Sequence, residues 1–187
     1  MHCPGTPWIL WVTDAIRLSP SSPLRCCPCH PTGYPLNTVV LDTNVLLDLW
    51  LVRDPAVEPL RAALHSGLLR PVRSPATDAE FAEVLARPQL FSIAPERAAA
   101  LLEAWRASAS PVEGIQSAPW VCRDSLDQKF LGLAVTAGAN WLITKDRDLL
   151  KLACKARRQG LAIVTPGRWS ALAAAPPSAS TAAPPAG

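Results

Sequence analysis

The chain has 187 residues, 49% of them hydrophobic, and a formal charge of +3. That size supplies one ordinary domain with an ample core, and no apolar run approaches the ~20 residues needed to span a membrane; a cytoplasmic protein with no membrane partner is the expectation. Mild basicity permits a nucleic-acid partner without demanding one, and the 14 Arg against 4 Lys suit phosphate contacts, although a general Arg, Ala and Pro bias explains them more simply.

Residues 1–36 are rich in Pro, Cys and Ser and carry no sustained period, which predicts an irregular leader outside the fold. Trp8–Val12 is too short for a signal-peptide core, and no basic segment precedes it. Cys26-Cys27-Pro28-Cys29-His30 matches a haem c attachment pattern, yet covalent haem needs export. Zinc through Cys26, Cys29, His30 and Cys3 lacks a second paired cluster. The run therefore reads as incidental, and the six cysteines do not form a disulfide framework.

Regular patterning begins near Asn37. Thr38–Leu41 is a β-branched run suited to a buried parallel strand. Val45, Leu46, Leu49 and Trp50 predict a helix, and Val57–Ser66 a second one stopped by Gly67. Leu68–Arg73 reads as a strand. A helix from Thr77 carries Phe81, Val84 and Leu85 on one face and ends at Arg87-Pro88. Pro95–Ala107 is strongly helix-forming.

Asp124 or Ser125 opens the next helix, whose stripe is Leu126, Phe130, Leu133, Ala134 and Ala137, with Gly138 closing it. Asn140–Thr144 is a strand, Asp146–Arg157 a helix and Leu161–Val164 a last strand. Alternating strands and helices predict an α/β fold with a parallel sheet over residues 37–170. Residues 171–187, rich in Ala and Pro, have little to bury and read as a disordered tail.

Ligands of such sheets bind beyond the strand C-termini, and two acids fall there. Asp42 ends the first strand in VVLDTNVLL, and Asp146 follows Thr144 in LITKDRDLL. Glu80 and Asp127 lie at helix starts. Singly, each acid has an ordinary explanation as a cap: Thr77 with Glu80 matches a capping box, Asp124 with Asp127 an acidic version of it, and Asp42 and Asp146 precede helices. Together they make a carboxylate pocket whose charge needs cations. Two Mg²⁺ or Mn²⁺ ions about 4 Å apart would suit it, one activating a water and the other stabilising a leaving 3′-oxygen.

The order and spacing of three motifs, VVLDTNVLLDLW, TDAEFAEVLARPQL and CRDSLDQKFLGLAVTAGANWLITKDRDLL, resemble those of the PIN-domain ribonucleases, especially the toxin components of bacterial toxin–antitoxin pairs. The resemblance covers roughly residues 37–169. It implies a three-layer α/β/α sandwich with a small, mostly parallel sheet, and Mg²⁺- or Mn²⁺-dependent cleavage of single-stranded RNA. It assigns Asp42, Glu80, Asp127 and Asp146 as catalytic metal ligands, with Asn44, Thr144 and Asp124 in support. A homodimer and a cognate antitoxin protein are the partners it implies.

Lys145 departs from the Gly that relatives often carry before the fourth acid; it would touch substrate phosphate or pair with an acid and compete with metal. Arg123 and Arg147, with Arg157 and Arg158, would steer the RNA backbone or simply solvate a helix face. Among the seven tryptophans, Trp120 is the one placed for RNA or partner contact. A haloacid-dehalogenase-type phosphatase also opens with a strand-end Asp, but it needs a second Asp where this chain has Asn44. A catalytically silent PIN domain that binds RNA or protein is the remaining alternative.

Overall fold

The computed structural model describes residues 37–52, 54–87 and 93–174. Asn37–Leu41 forms β1, Thr43–Trp50 α1 and Glu58–His65 α2, the last led by a 3-10 turn over Pro55–Val57. Gly67 takes φ 73°, the left-handed conformation glycine adopts without strain, and turns the chain into β2, Leu69–Arg73. Next come α3, Pro75–Leu85, and α4, Pro95–Ser108, then a two-residue strand β3, Ser110–Pro111. A 3-10 turn over Ser125–Asp127 leads into α5, Gln128–Thr136. The remainder is β4 (Trp141–Ile143), α6 (Arg147–Leu150), α7 (Ala153–Arg157), β5 (Ala162–Val164) and α8 (Pro166–Ala174).

The five strands are parallel throughout, in the order β3-β2-β1-β4-β5. The chain starts at the centre, builds outward on one side, then returns to build on the other. Side chains alternate between the two faces, as the pleat requires. Val39 and Leu41 of β1, Ile143 of β4 and Val164 of β5 pack with α1 to α4 and α8. Val40, Leu142 and Ile163 pack with α5, α6 and α7. The architecture is therefore the expected α/β/α sandwich. Phe81 and Phe130, both fully buried, anchor the two layers; truncating either to Ala would cost about 3–5 kcal/mol.

Several local expectations are revised. The α3 cap is Ser74, not Thr77: the Thr77 N–H donates to Ser74 Oγ (3.3 Å) while Thr77 Oγ1 accepts the Ser74 N–H (2.9 Å). Glu80 is thereby moved into the second turn and caps nothing. Leu126 stands 71% exposed, because its turn is 3-10 and its tighter period rotates this residue off the α5 stripe. The helix expected over 146–157 is two short ones, with Leu149, Leu152 and Ala156 turned into the same core.

Trp120 is only 7% exposed. Gln128 holds its segment, Nε2 donating to the Trp120 carbonyl and Oε1 accepting the Cys122 N–H, both at 2.8 Å; Trp120 is a packing residue. The final helix, unforeseen, runs past residue 170 and buries Trp169. The Cys26–His30 motif and the 1–36 leader lie outside the described residues, as do residues 175–187. No described helix is long and apolar enough to cross a membrane.

Candidate active site

Strand order reverses between β1 and β4, the kind of point at which ligands of open α/β sheets bind. Asp42 leaves β1 there, its N–H donating to the Ile143 carbonyl of β4 at 3.1 Å. The residue is 4% exposed, and side chains hold its carboxylate. Asn44 Nδ2 donates to Oδ2 at 2.7 Å, and the Thr144 hydroxyl donates to the same oxygen. Thr144, 0% exposed, also accepts the Asp146 N–H at 2.8 Å. One hydroxyl thus ties the first acid to the fourth.

Asp146 caps α6: Oδ1 accepts the N–H groups of Asp148 (2.7 Å) and Leu149 (3.0 Å). The capping explanation holds for that oxygen and fixes the direction in which the other points. Burial pushes the Asp42 carboxyl up from its ordinary value. Hydrogen bonds from Thr144 and Asn44 oppose that rise, and the charge of Glu80 adds to it.

Glu80 and Asp127 approach from α3 and the 3-10 turn before α5. Both are half-buried. Asp127 makes no capping bond; Asp124 takes that role, its Oδ1 accepting the Leu126 N–H at 2.8 Å. Burial, and then the charges of Asp146, Asp42, Asp124 and Glu80, push the Asp127 carboxyl up to about 6. All four expected acids are therefore within electrostatic reach of one another. Glu80 forms an ion pair with Lys129 of α5. Asp42, Asn44, Thr144 and Asp146 share one hydrogen-bonded unit, whereas Glu80 and Asp127 join it only through their charges.

The expected phosphate-facing cations are differently placed. Lys145 extends away from the four acids, its ammonium 2.6 Å from Asp48 Oδ2 and 3.0 Å from Asp54 Oδ2. Asp48, foremost, holds that ammonium above its ordinary pKa. The lysine's backbone N–H donates to Asn44 Oδ1 at 3.3 Å, so the residue braces Asn44 and does not neutralise Asp146. Arg123 and Arg147 are exposed. Arg123 is near enough for its charge to help Lys151, the dominant influence, lower the Asp148 carboxyl.

A cleft of about 400 Å³ opens between α3 and the 125–127 turn, with Glu80, Asp127 and Lys129 in its wall and Val84, Arg87 and Leu126 also lining it. Lys129 is the site residue that sequence reasoning missed. Its position two residues after Asp127 was the available signal, but the facing of α3 and α5 that sets it on Glu80 was not.

The donor set is all-oxygen, the type hard divalent cations select. Repulsion among the carboxylates, felt at Asp127, is what such an ion would relieve. Among the described residues, no group of three or more His, Cys, Asp or Glu is drawn together tightly enough to hold an ion, and Glu80 is turned to Lys129. The residues fit a divalent cation in kind, provided Glu80 exchanges its partner.

A search of curated proteins finds no match to the chain. A family model described as the PIN domain matches residues 38–148, more than half the sequence and the whole span from β1 through the α6 cap. With a five-stranded parallel sheet and acids at its switch point, the chain belongs to the PIN-domain family, whose fold is that of a nuclease.

Proposed function

We propose that the protein is a metal-dependent endoribonuclease that cleaves single-stranded RNA in the cytoplasm, using Asp42, Glu80, Asp127 and Asp146 to hold Mg²⁺ or Mn²⁺. The observation that carries this reading is the gathering of the acids at the strand ends: the Thr144 hydroxyl joins Asp42 to Asp146, and Glu80 and Asp127 line one cleft, with the charges of the other three acids helping to raise the Asp127 carboxyl to about 6. Buried carboxylates that repel one another without full compensation mark a site built for a cation. When bound, the ion supplies Lewis acidity and an activated water for in-line attack on a phosphodiester.

The chain's own residues do the positioning. Thr144 and Asn44 lock Asp42 in one rotamer, and the α6 backbone fixes Asp146. The polar groups that take no part, such as Asp78, face elsewhere: Asp78 is buried against Arg73 (2.6 Å), Arg106 (3.4 Å) and the Trp105 Nε1–H (3.1 Å). The toxin role, restrained by a cognate antitoxin and exercised as a homodimer, is supported by the resemblance of the three motifs to that branch of the family. The phosphatase alternative falls with the family assignment.

A silent, RNA- or protein-binding PIN domain is the second reading, favoured by the ammonium seated on Glu80. One experiment separates the two. The full chain is incubated with a mixed single-stranded RNA pool in Mn²⁺, Mg²⁺ or EDTA, with Asp42→Asn as control, and metal binding is measured calorimetrically on the same sample. Metal-dependent cutting lost in Asp42→Asn establishes the nuclease. Metal binding without cutting favours the silent domain, and an absence of metal binding sinks the mechanism.

A further inference from the structure

Each lysine around this site has an acidic partner, but only one of those partners is among the four acids. Lys145 is held by Asp48 and Asp54, and Lys151 by Asp148. Lys129 of α5 is instead held by Glu80 of α3. The two side chains are equally sheltered, at 21% and 23% exposure, and their pair closes the inner wall of the α3 cleft, beside Asp127. The ammonium lies 5.5 Å from the centroid of the buried Phe130 ring, which supports it from below.

A divalent ion taking Glu80 as a ligand cannot share that carboxylate with an ammonium: the ion carries twice the charge, and the two cations repel. The lysine stem is flexible and its head offers three donors, so departure needs a rotamer change and no backbone movement. A released head remains in the cleft, which Glu83 and Asp124 also line, and a strand lying over the acids would bring its phosphates within reach. We propose that Lys129 is an exchange residue: it balances Glu80 while the site lacks a cation, and it passes to a phosphate of the bound strand when a divalent ion takes Glu80. This rests on the nuclease reading above. It transfers to Lys129 the two roles that the sequence suggested for Lys145, and it makes strand binding depend on metal loading.

The exchange predicts opposite effects on two ligands from one substitution. Mn²⁺ affinity is measured calorimetrically on the full chain without nucleic acid, and strand affinity by fluorescence anisotropy with a single-stranded oligonucleotide of non-hydrolysable linkages in saturating Mn²⁺. Lys129→Gln should bind Mn²⁺ severalfold more tightly than the parent. It should bind the strand severalfold more weakly, with the slope of log affinity against log salt reduced by about one. Lys129→Arg should recover most of the strand affinity.

Glu80→Gln provides an independent arm: it should lose Mn²⁺ affinity yet bind the strand more tightly than the parent in EDTA, because Lys129 is already free. A merely structural pair would weaken both ligands in Lys129→Gln alongside a lower Tm. That outcome, or unchanged Mn²⁺ affinity, overturns the exchange. If the parent chain cuts RNA and Lys129→Gln still gains no Mn²⁺ affinity, the exchange fails while the nuclease reading stands. If the parent binds no Mn²⁺, both fall.

Discussion

Replacing Thr144 by Val tests whether one hydroxyl holds the site together. The two side chains are nearly isosteric, and Thr144 is fully buried at the end of β4, so no cavity forms. Two bonds are lost. Asp42 Oδ2 loses its Thr144 donor, and the Asp146 N–H, 2.8 Å from the hydroxyl, loses its acceptor. A hydrogen bond to a charged group contributes about 1.5–3 kcal/mol and a neutral one about 1; with Asn44 still bonding Asp42, a net loss of about 2 kcal/mol at pH 8 follows.

The deficit depends on pH. Burial already raises the Asp42 carboxyl, and the Thr144 hydrogen bond is the leading influence holding it down. An acid with a raised folded pKa makes stability fall as pH rises through the window above its unfolded value, since the folded state then holds more protons. The Thr144→Val substitution would widen that window upward, so the variant loses more at pH 8 than at pH 3, below the ordinary carboxylate value. Urea unfolding in EDTA at the two pH values, with matching m-values, measures the difference. A deficit that is flat with pH, or below about 0.5 kcal/mol at pH 8, would refute the bridging role.

Three further perturbations follow from the same geometry. Asp127→Asn removes a carboxyl raised from 3.8 to about 6; the parent loses stability as pH climbs through that window, so without metal the variant should be more stable at pH 8 and unchanged at pH 3. The ceiling of about 3 kcal/mol shrinks to about 1 after solvent screening at this partly open position, and thermal unfolding at both pH values decides it. Gly132→Ala should destabilise by about 1 kcal/mol despite the better helix propensity of Ala, because the new Cβ would sit 2.8 Å from the Gln116 carbonyl oxygen; Gly167→Ala, with nothing within 4 Å, is the control that should not destabilise. Asp78→Ala should cost about 3 kcal/mol by leaving the Arg73 guanidinium without its carboxylate, held then only by the Ala109 carbonyl, and the Trp105 indole N–H without an acceptor, and a loss below about 1 kcal/mol in chemical denaturation would show that solvent serves those partners as well.

The strand pattern was legible because β1, β4 and β5 are buried on both faces and so read as plain apolar runs, and Asp42 and Asp146 stood out because each interrupts such a run. What the pattern hid lay between elements. Ser74 caps α3 three residues ahead of Thr77, its partner in the capping box, which no hydrophobic period records. Trp120 is drawn inward by Gln128, a neighbour across a loop. Lys145 and Lys129 are both lysines near an acid in sequence, yet Lys145 pairs with Asp48 and Asp54 and Lys129 with Glu80, partners that proximity along the chain does not reveal. Strand β3 is two residues long, too short for any period to register.

The Asp42–Thr144 bond joins residues 102 positions apart. Contacts of that separation form late, because most of the intervening chain must be ordered first. During synthesis Asp42 emerges early, but its bridging hydroxyl and Asp146 emerge only after β1 to β3 and α1 to α5 have been made. A nascent or truncated chain therefore carries the first acid without its fourth, and whatever chemistry these carboxylates perform is withheld until the second half of the sheet has docked.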